Sequence, residues 1–324
     1  MLTPAAGRHG STIPPAGPQG GGGVTFWPGA TNRMMMTRSR IPVILVHGWN
    51  SHPGVWNRLI PRLDAAGIPY SRFSHAEMAG EDMPCIARAL GDHLREYREE
   101  TGYDGQADIV AHSLGACITR HYLEVADGAA RRERVRQLIA LGPPNSGSAL
   151  AELFNDPEQG SAIIGRLEGV FVPAGFDPAA DPIVQDVRPK SRFMAGLRAA
   201  GTRRDIAYRI IVTANPSGNP GFFPLFNGKT WERGDDGGYR LTLEGDGIVP
   251  NRESALPGIA PELVLPGSDA PGDHPRPDLF CHISQPRNPI VIDRILRYLG
   301  ESRSGGSEPA FPADEPACGN GTAV

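Results

Sequence analysis

The sequence predicts an α/β fold in which a mostly parallel sheet carries helices on both faces. Two observations predict it. The apolar, β-branched run at 41–46 is continuous instead of alternating, as a strand buried on both faces requires, and further strand-like runs stand at 107–111, 135–141 and 206–212. Between them lie helix-compatible segments with short connections, the rhythm of strand–helix–strand units.

The elements follow in order. Ile41 to Val46 is the first strand, and His47-Gly48-Trp49-Asn50 stands at its C-terminal end, where open α/β sheets place their sites. Val55 to Ala66 reads as an amphipathic helix closed by Gly67, and 69–74 as a short strand. Pro84 opens a helix over Ile86–Thr101, with Ile86, Leu90 and Leu94 recurring every four residues and Gly102 ending it. After the strand at 107–111 comes a helix to about Val125, then a strand over Val135–Leu141. From 149 to 205 the rhythm breaks. Apolar pieces (Leu153, Phe154, Ile163, Ile164, Val170, Phe171, Val172) mix with Pro and Asp turns, and the span is expected to be an inserted cap or lid. A strand over Ile206–Val212 resumes the sheet. A hairpin turning at Asp235-Asp236-Gly237-Gly238, a last short strand at Glu262–Leu265 and a closing helix over Pro289–Leu299 complete it.

The catalytic-size domain is thus expected at 41–300. Residues 1–40, with Gly20-Gly21-Gly22-Gly23, and residues 301–324 are too rich in Gly, Pro and Ser to offset the entropy of ordering, and are expected to be disordered. Met34-Met35-Met36, just before the first strand, is a candidate translation start. No apolar signal-peptide core is visible, which favours a cytoplasmic location and leaves secretion open.

Composition narrows the function. The 324 residues are 40% hydrophobic and 21% charged with a net charge of −4, so no basic excess points to nucleic acid or to an anionic membrane. No stretch reaches the roughly 18 apolar residues of a membrane span. The four cysteines (Cys85, Cys117, Cys281, Cys318) show neither metal-ligand spacing nor a disulfide framework, and neither metal nor cofactor is expected. Cys117, one helical turn after Ser113, reads as helix packing.

The chemistry centres on Ala107-Asp108-Ile109-Val110-Ala111-His112-Ser113-Leu114-Gly115-Ala116. An apolar strand running into small-x-Ser-x-Gly and then a helix is the sequence form of a nucleophile elbow, in which a strained turn lifts a serine hydroxyl above the sheet. The pattern alone is common in a chain this rich in Gly, Ala and Ser, so its partners must carry the argument. Serine attack on a carbonyl needs a base, a group that orients the base, and donors for the oxyanion. Of nine histidines only His121, His274 and His282 follow Ser113. His282, between the last strand and the last helix, is the expected base. His274 in a proline-bound loop is the alternative, and His121 reads as a surface or packing residue. Asp246, flanked by Gly245 and Gly247, is the expected acid, with a simple turn aspartate as the competing reading; Asp235 and Asp236 read as turn residues and Asp273 as a poorer choice. Backbone N–H groups of Leu114 and Trp49 are the expected oxyanion donors, against a reading of 47–50 as a glycine turn with a packing Trp. His47, preceding the serine, is expected to be structural. Asn145 and Ser146 either brace the elbow or form a plain turn.

The segments Pro42-Val43-Ile44-Leu45-Val46-His47-Gly48-Trp49, Asp108 to Gly115, Gly142-Pro143-Pro144-Asn145-Ser146-Gly147-Ser148 and Asp246-Gly247-Ile248-Val249-Pro250 together resemble bacterial triacylglycerol lipases of the α/β-hydrolase superfamily over about 41–300. The resemblance implies the α/β-hydrolase fold, a Ser-Asp-His acyl hydrolase acting on acyl esters or lipids, a mobile apolar lid, and transient contact with a lipid interface. Some such lipases hold a structural calcium; no ligand set for it is carried over. A thioesterase or acyltransferase would use the same three residues, and a non-catalytic binding module would ordinarily lack one of them. Oligomeric state is not legible.

Overall fold

The computed structural model describes residues 40–267 and 276–301. The expected start at Met34 to Met36, His274, Asp273 and, but for Arg40 and Glu301, the two segments expected to be disordered lie outside them.

Strand β1 (Val43–Val46) is followed by a 3₁₀ turn (Pro53–Trp56) and α1 (Ile60–Ala66). The continuous helix expected over 55–66 is therefore split. Pro61, in the first turn of α1, lacks an N–H and its ring clashes with the carbonyl four residues back, so no helix can run through from Val55. Next come β2 (Tyr70–Phe73) and α2 (Met83–Thr101). Helix α2 begins earlier than its apolar period suggests because Asp82 caps it, accepting the Cys85 N–H at 2.8 Å. Its buried face is Met83, Ile86, Leu90 and Leu94. Strand β3 (Ala107–His112) feeds α3 (Leu114–Arg120), which continues into a π-helical turn (His121–Ala126), and β4 (Val135–Leu141) follows.

The span between β4 and the next sheet strand is largely helical. It holds α4 (Ala149–Phe154), α5 (Gly160–Leu167), α6 (Pro182–Asp186) and α7 (Arg192–Ala200). The Ser, Asp and Pro residues that read as turns are helix starts. Ser148, Asp181 and Ser191 each accept an N–H three residues on, at 3.2, 3.0 and 3.0 Å. Strand β5 (Ala207–Thr213), the hairpin β6 (Thr230–Arg233) and β7 (Tyr239–Thr242), α8 (Asn251–Ser254), β8 (Glu262–Val264) and α9 (Pro289–Gly300) complete the fold.

The sheet order is β2-β1-β3-β4-β5-β8, with every neighbouring pair parallel; β6 and β7 form a separate antiparallel pair. In β1 all four side chains are fully buried, and β3 and β4 are buried throughout. Successive strand side chains point to opposite faces, so both faces of the sheet are covered. The order reverses between β1 and β3, which opens a crevice at their C-terminal ends. Both His47–Asn50 and Ser113 sit there. None of the described helices is long and apolar enough to cross a membrane.

The opposite end of β3 carries a buried ion pair. Arg136 on β4 donates from Nε to Asp108 Oδ1 at 2.7 Å, and its remaining nitrogens reach the Leu299 and Glu301 carbonyls at 3.1 and 2.8 Å, where α9 ends. Gln137 adds bonds to Asp108 and to the Tyr298 carbonyl. Removing one partner strands a buried charge. Arg136→Met is therefore expected to lower unfolding stability by about 3 kcal/mol in urea titrations.

Candidate active site

Ser113 has φ 53° and ψ −128°, a conformation that costs a non-glycine residue energy and survives only where its surroundings impose it. They do so here. β3 is clamped between β1 and β4, the Ser113 N–H donates to the Leu141 carbonyl at 2.8 Å, and its carbonyl accepts the Ala116 N–H at 3.0 Å. The small residues at the elbow follow from close approach. A Cβ on Gly115 would lie 2.4 Å from the His47 carbonyl oxygen and 2.9 Å from that of Val46, and Ala111 is fully buried. Gly48 also faces the elbow closely, since a Cβ there would sit 3.0 Å from Ser113 Cβ. The loop after β1 thus lies against the serine.

The residues expected to act together come together. Ser113 Oγ lies 2.8 Å from His282 Nε2, and His282 Nδ1 lies 2.7 Å from Asp246 Oδ2. Donation from Nδ1 to the carboxylate leaves Nε2 as the acceptor for the serine hydroxyl. The Asp246 carboxylate is filled on every side. Oδ1 accepts the Ile248 and Val249 N–H groups at 3.0 and 2.7 Å, and Oδ2 also accepts Gln285 Nε2 at 2.9 Å. Asp246 is thus both a turn residue and the partner of His282, so the two readings of Gly-Asp-Gly are one. The backbone is tied as well, with the His282 N–H donating to the Asp246 carbonyl at 2.8 Å.

Three residues that the sequence did not mark hold this arrangement. His112, beside the serine, is buried and places Nε2 3.0 Å from the His282 carbonyl. Gln285 bonds Thr213 at 2.9 Å as well as Asp246, and Thr213 donates to the Phe280 carbonyl at 2.6 Å. Their partners lie far off in sequence, so no local pattern could have found them.

The sequence matches the Alpha/beta hydrolase family over residues 43–295. The chain belongs to that family. No curated protein matches its sequence. Among solved structures it is similar to the mature Bacillus licheniformis lipase BlEst2 (17% identity, TM-score 0.55, 81% of this chain and 93% of that one). It is also similar to phospholipase PlaB from Legionella pneumophila (16%, 0.55, 81% and 60%) and to Aspergillus fumigatus lipase B (14%, 0.52, 82% and 54%). It spans less than two thirds of the last two, and at these identities the likeness is one of fold.

In this Alpha/beta hydrolase family member the serine opens onto an apolar pocket. Its walls include Trp49, Leu114, Leu150, Phe154, Phe171, Val184, Val187, Ile248 and Val249, with Ser148 as a second hydroxyl beside Ser113 and no charged side chain. Of the apolar residues expected from the 149–205 span, Phe154 and Phe171 line it. Leu153 and Ile163 are buried on the inward faces of α4 and α5, while in the turn after α5 Val172 is buried and Val170 is 57% exposed.

The remaining residues fall into structural roles. His121 stacks on Phe193 with ring centroids 4.8 Å apart. Burial pushes the Cys117 thiol up to about 12, which keeps it protonated and unreactive. Asp236 accepts the Gly238 N–H within the hairpin turn. Asn145 bridges the elbow helix and α8, accepting from Arg120 at 3.2 Å and donating to the Ser254 carbonyl at 2.7 Å, while Ser146 donates its N–H to the Glu253 carbonyl at 3.0 Å. They are braces. No group of three or more His, Cys, Asp or Glu among the described residues is placed to hold a metal ion.

His47 stacks on His75 with centroids 4.0 Å apart; its Nδ1 bonds the Gly48 carbonyl at 2.9 Å and its Nε2 accepts the His75 N–H at 3.1 Å. It buttresses the loop after β1. Burial and the nearby His75 lower its pKa from 6.5 in the open chain to about 4. As pH falls below 6.5 the unfolded chain takes up this proton first, so stability that is full above pH 6.5 is lost on the way to pH 4. The shift corresponds to about 3 kcal/mol. Urea titrations should show that loss between pH 7 and 4, and His47→Gln should make it shallower, with buried His75 and His112 supplying part of the remainder. Gly115→Ala, which forces a methyl group onto two carbonyls, is expected to cost about 1–3 kcal/mol, read as a lower Tm.

Proposed function

We propose that this chain is a serine hydrolase that cleaves carboxylic esters through an acyl-enzyme. The observation that carries the reading is the unbroken run of hydrogen bonds from Ser113 Oγ through His282 to Asp246 at the mouth of an apolar pocket. His282 Nε2 takes the serine proton as Oγ attacks the ester carbonyl, and Asp246 holds the imidazole in the required tautomer and stabilises its positive charge. The tetrahedral oxyanion forms beside the elbow. The Leu114 N–H, first in α3 and ahead of any intrahelical acceptor, supplies one donor. The Trp49 N–H, on the loop packed against Ser113, supplies the other. His282 then protonates the departing alcohol, and water, activated by the same nitrogen, releases the acid.

The lining of the pocket suits an uncharged acyl chain, with no cation to bind an acidic substrate. Ester hydrolysis needs no cofactor in this scheme. Ser113→Ala should reduce p-nitrophenyl butyrate hydrolysis at least 10³-fold and abolish labelling by a fluorophosphonate. Retained turnover would refute the assignment. Running the same panel with acyl-CoA thioesters would show whether oxygen or sulfur is the preferred leaving atom.

A further inference from the structure

We propose that Asp181 is a positioning residue for the oxyanion loop, and that the cap segment 171–181 is a fixed wall of the site instead of a flap that swings away. The inference rests on the ester-hydrolase reading above and concerns how its Trp49 donor is held in place.

The loop needs holding. Its tip, Asn50, is exposed and has φ 46°, a conformation that a non-glycine residue keeps only under restraint. The restraint comes from the cap. The Trp49 indole Nε1–H donates to Asp181 Oδ2 at 3.0 Å. The other oxygen of that carboxylate accepts the Val184 N–H at 3.0 Å and so starts α6. One side chain therefore joins the cap helix to the oxyanion loop through a charge-assisted bond in a half-buried setting. The indole also packs edge-on against Phe171 and Phe176, with centroids 5.5 and 5.4 Å away. Asn50 adds a bond from its amide to the Phe171 carbonyl at 3.0 Å. Phe171 in turn meets the His282 ring edge-on at 6.2 Å.

The cap thus touches both the loop that carries an oxyanion donor and the base. Swinging it away would break two hydrogen bonds and three ring contacts, and would release the donor at the moment that chemistry needs it rigid. A clamped cap works on ester molecules that enter singly from solution.

Two substitutions isolate the clamp. Asp181→Ser keeps a helix-capping hydroxyl for Val184 but is too short to reach the indole. Trp49→Phe keeps a ring and removes the N–H. With p-nitrophenyl butyrate and the full chain, each is expected to lower kcat about tenfold with KM within twofold, and the double variant should be no worse than either single one. Binding of a butyl boronic acid, whose serine adduct places an oxygen where the oxyanion forms, should weaken by the same factor. Asp181→Asn, whose single acceptor oxygen can meet either the indole or the Val184 N–H but not both, should fall between the wild type and Asp181→Ser. The wild-type rate on tributyrin should rise smoothly through the solubility limit of the ester. Unchanged kcat in both single variants, additive losses in the double variant, an effect confined to KM, or an upward break in the wild-type rate once tributyrin droplets form would overturn the proposal. Fluorophosphonate labelling of the wild type separates the two layers: no adduct at Ser113 overturns the hydrolase reading itself, whereas an adduct with an insensitive kcat overturns the clamp alone.

Discussion

The close crossing of the β3–α3 turn over the end of β1 is the constraint on which the rest of the site depends. Ser113 sits at φ 53°, and Gly115 passes so near the His47 and Val46 carbonyls that a single methyl group would not fit. That approach is possible because β1 and β3 pair in parallel register, Val46 beside Ala111, with small residues on both sides of the serine. The strain at Ser113 is borne by the buried central strands β1, β3 and β4, which cannot relax without opening the core. A stiff core therefore sets where the hydroxyl stands.

Everything else reaches the serine through loops, and each loop is fixed by hydrogen bonds at more than one point. The segment bearing His282 is held through its N–H by Asp246, through its carbonyl by His112, and just upstream by Thr213. The acid loop is held by its own turn and by Gln285. The loop after β1 is held from beneath by the His47–His75 stack and, through Trp49 and Asn50, by Asp181 and the Phe171 carbonyl. Where these bonds are buried, low-dielectric surroundings strengthen them and make a broken one costly.

The parallel sheet was legible in the sequence because its strands are short runs rich in apolar and β-branched residues spaced by helix-compatible segments, a rhythm that survives without any knowledge of neighbours. The α/β-hydrolase fold was implied by the resemblance of four segments taken together. The helices between β4 and β5 were not legible. They run five to nine residues, too short to repeat an amphipathic stripe over several turns, and their capping Ser148, Asp181 and Ser191 have the chemistry of turn residues. The broken helix at 55–66 turned on Pro61, whose apolar neighbours masked its effect on the backbone. Gln285, His112 and Asp181 were silent for another reason: their partners lie 39, 170 and 132 residues away.

By itself the sequence determined the strand rhythm, the requirement for small residues around Ser113, and the order of serine, aspartate and histidine, because these depend on local sterics and on chemistry that each residue type carries alone. The tertiary structure decided that His282 meets Ser113, a bond spanning 169 residues, and that Asp246 faces its other nitrogen. It also decided which apolar residues between β4 and β5 face the pocket. Which groups meet depends on how the crossover connections return the chain to one edge of the sheet, and that is a property of packing across the whole domain.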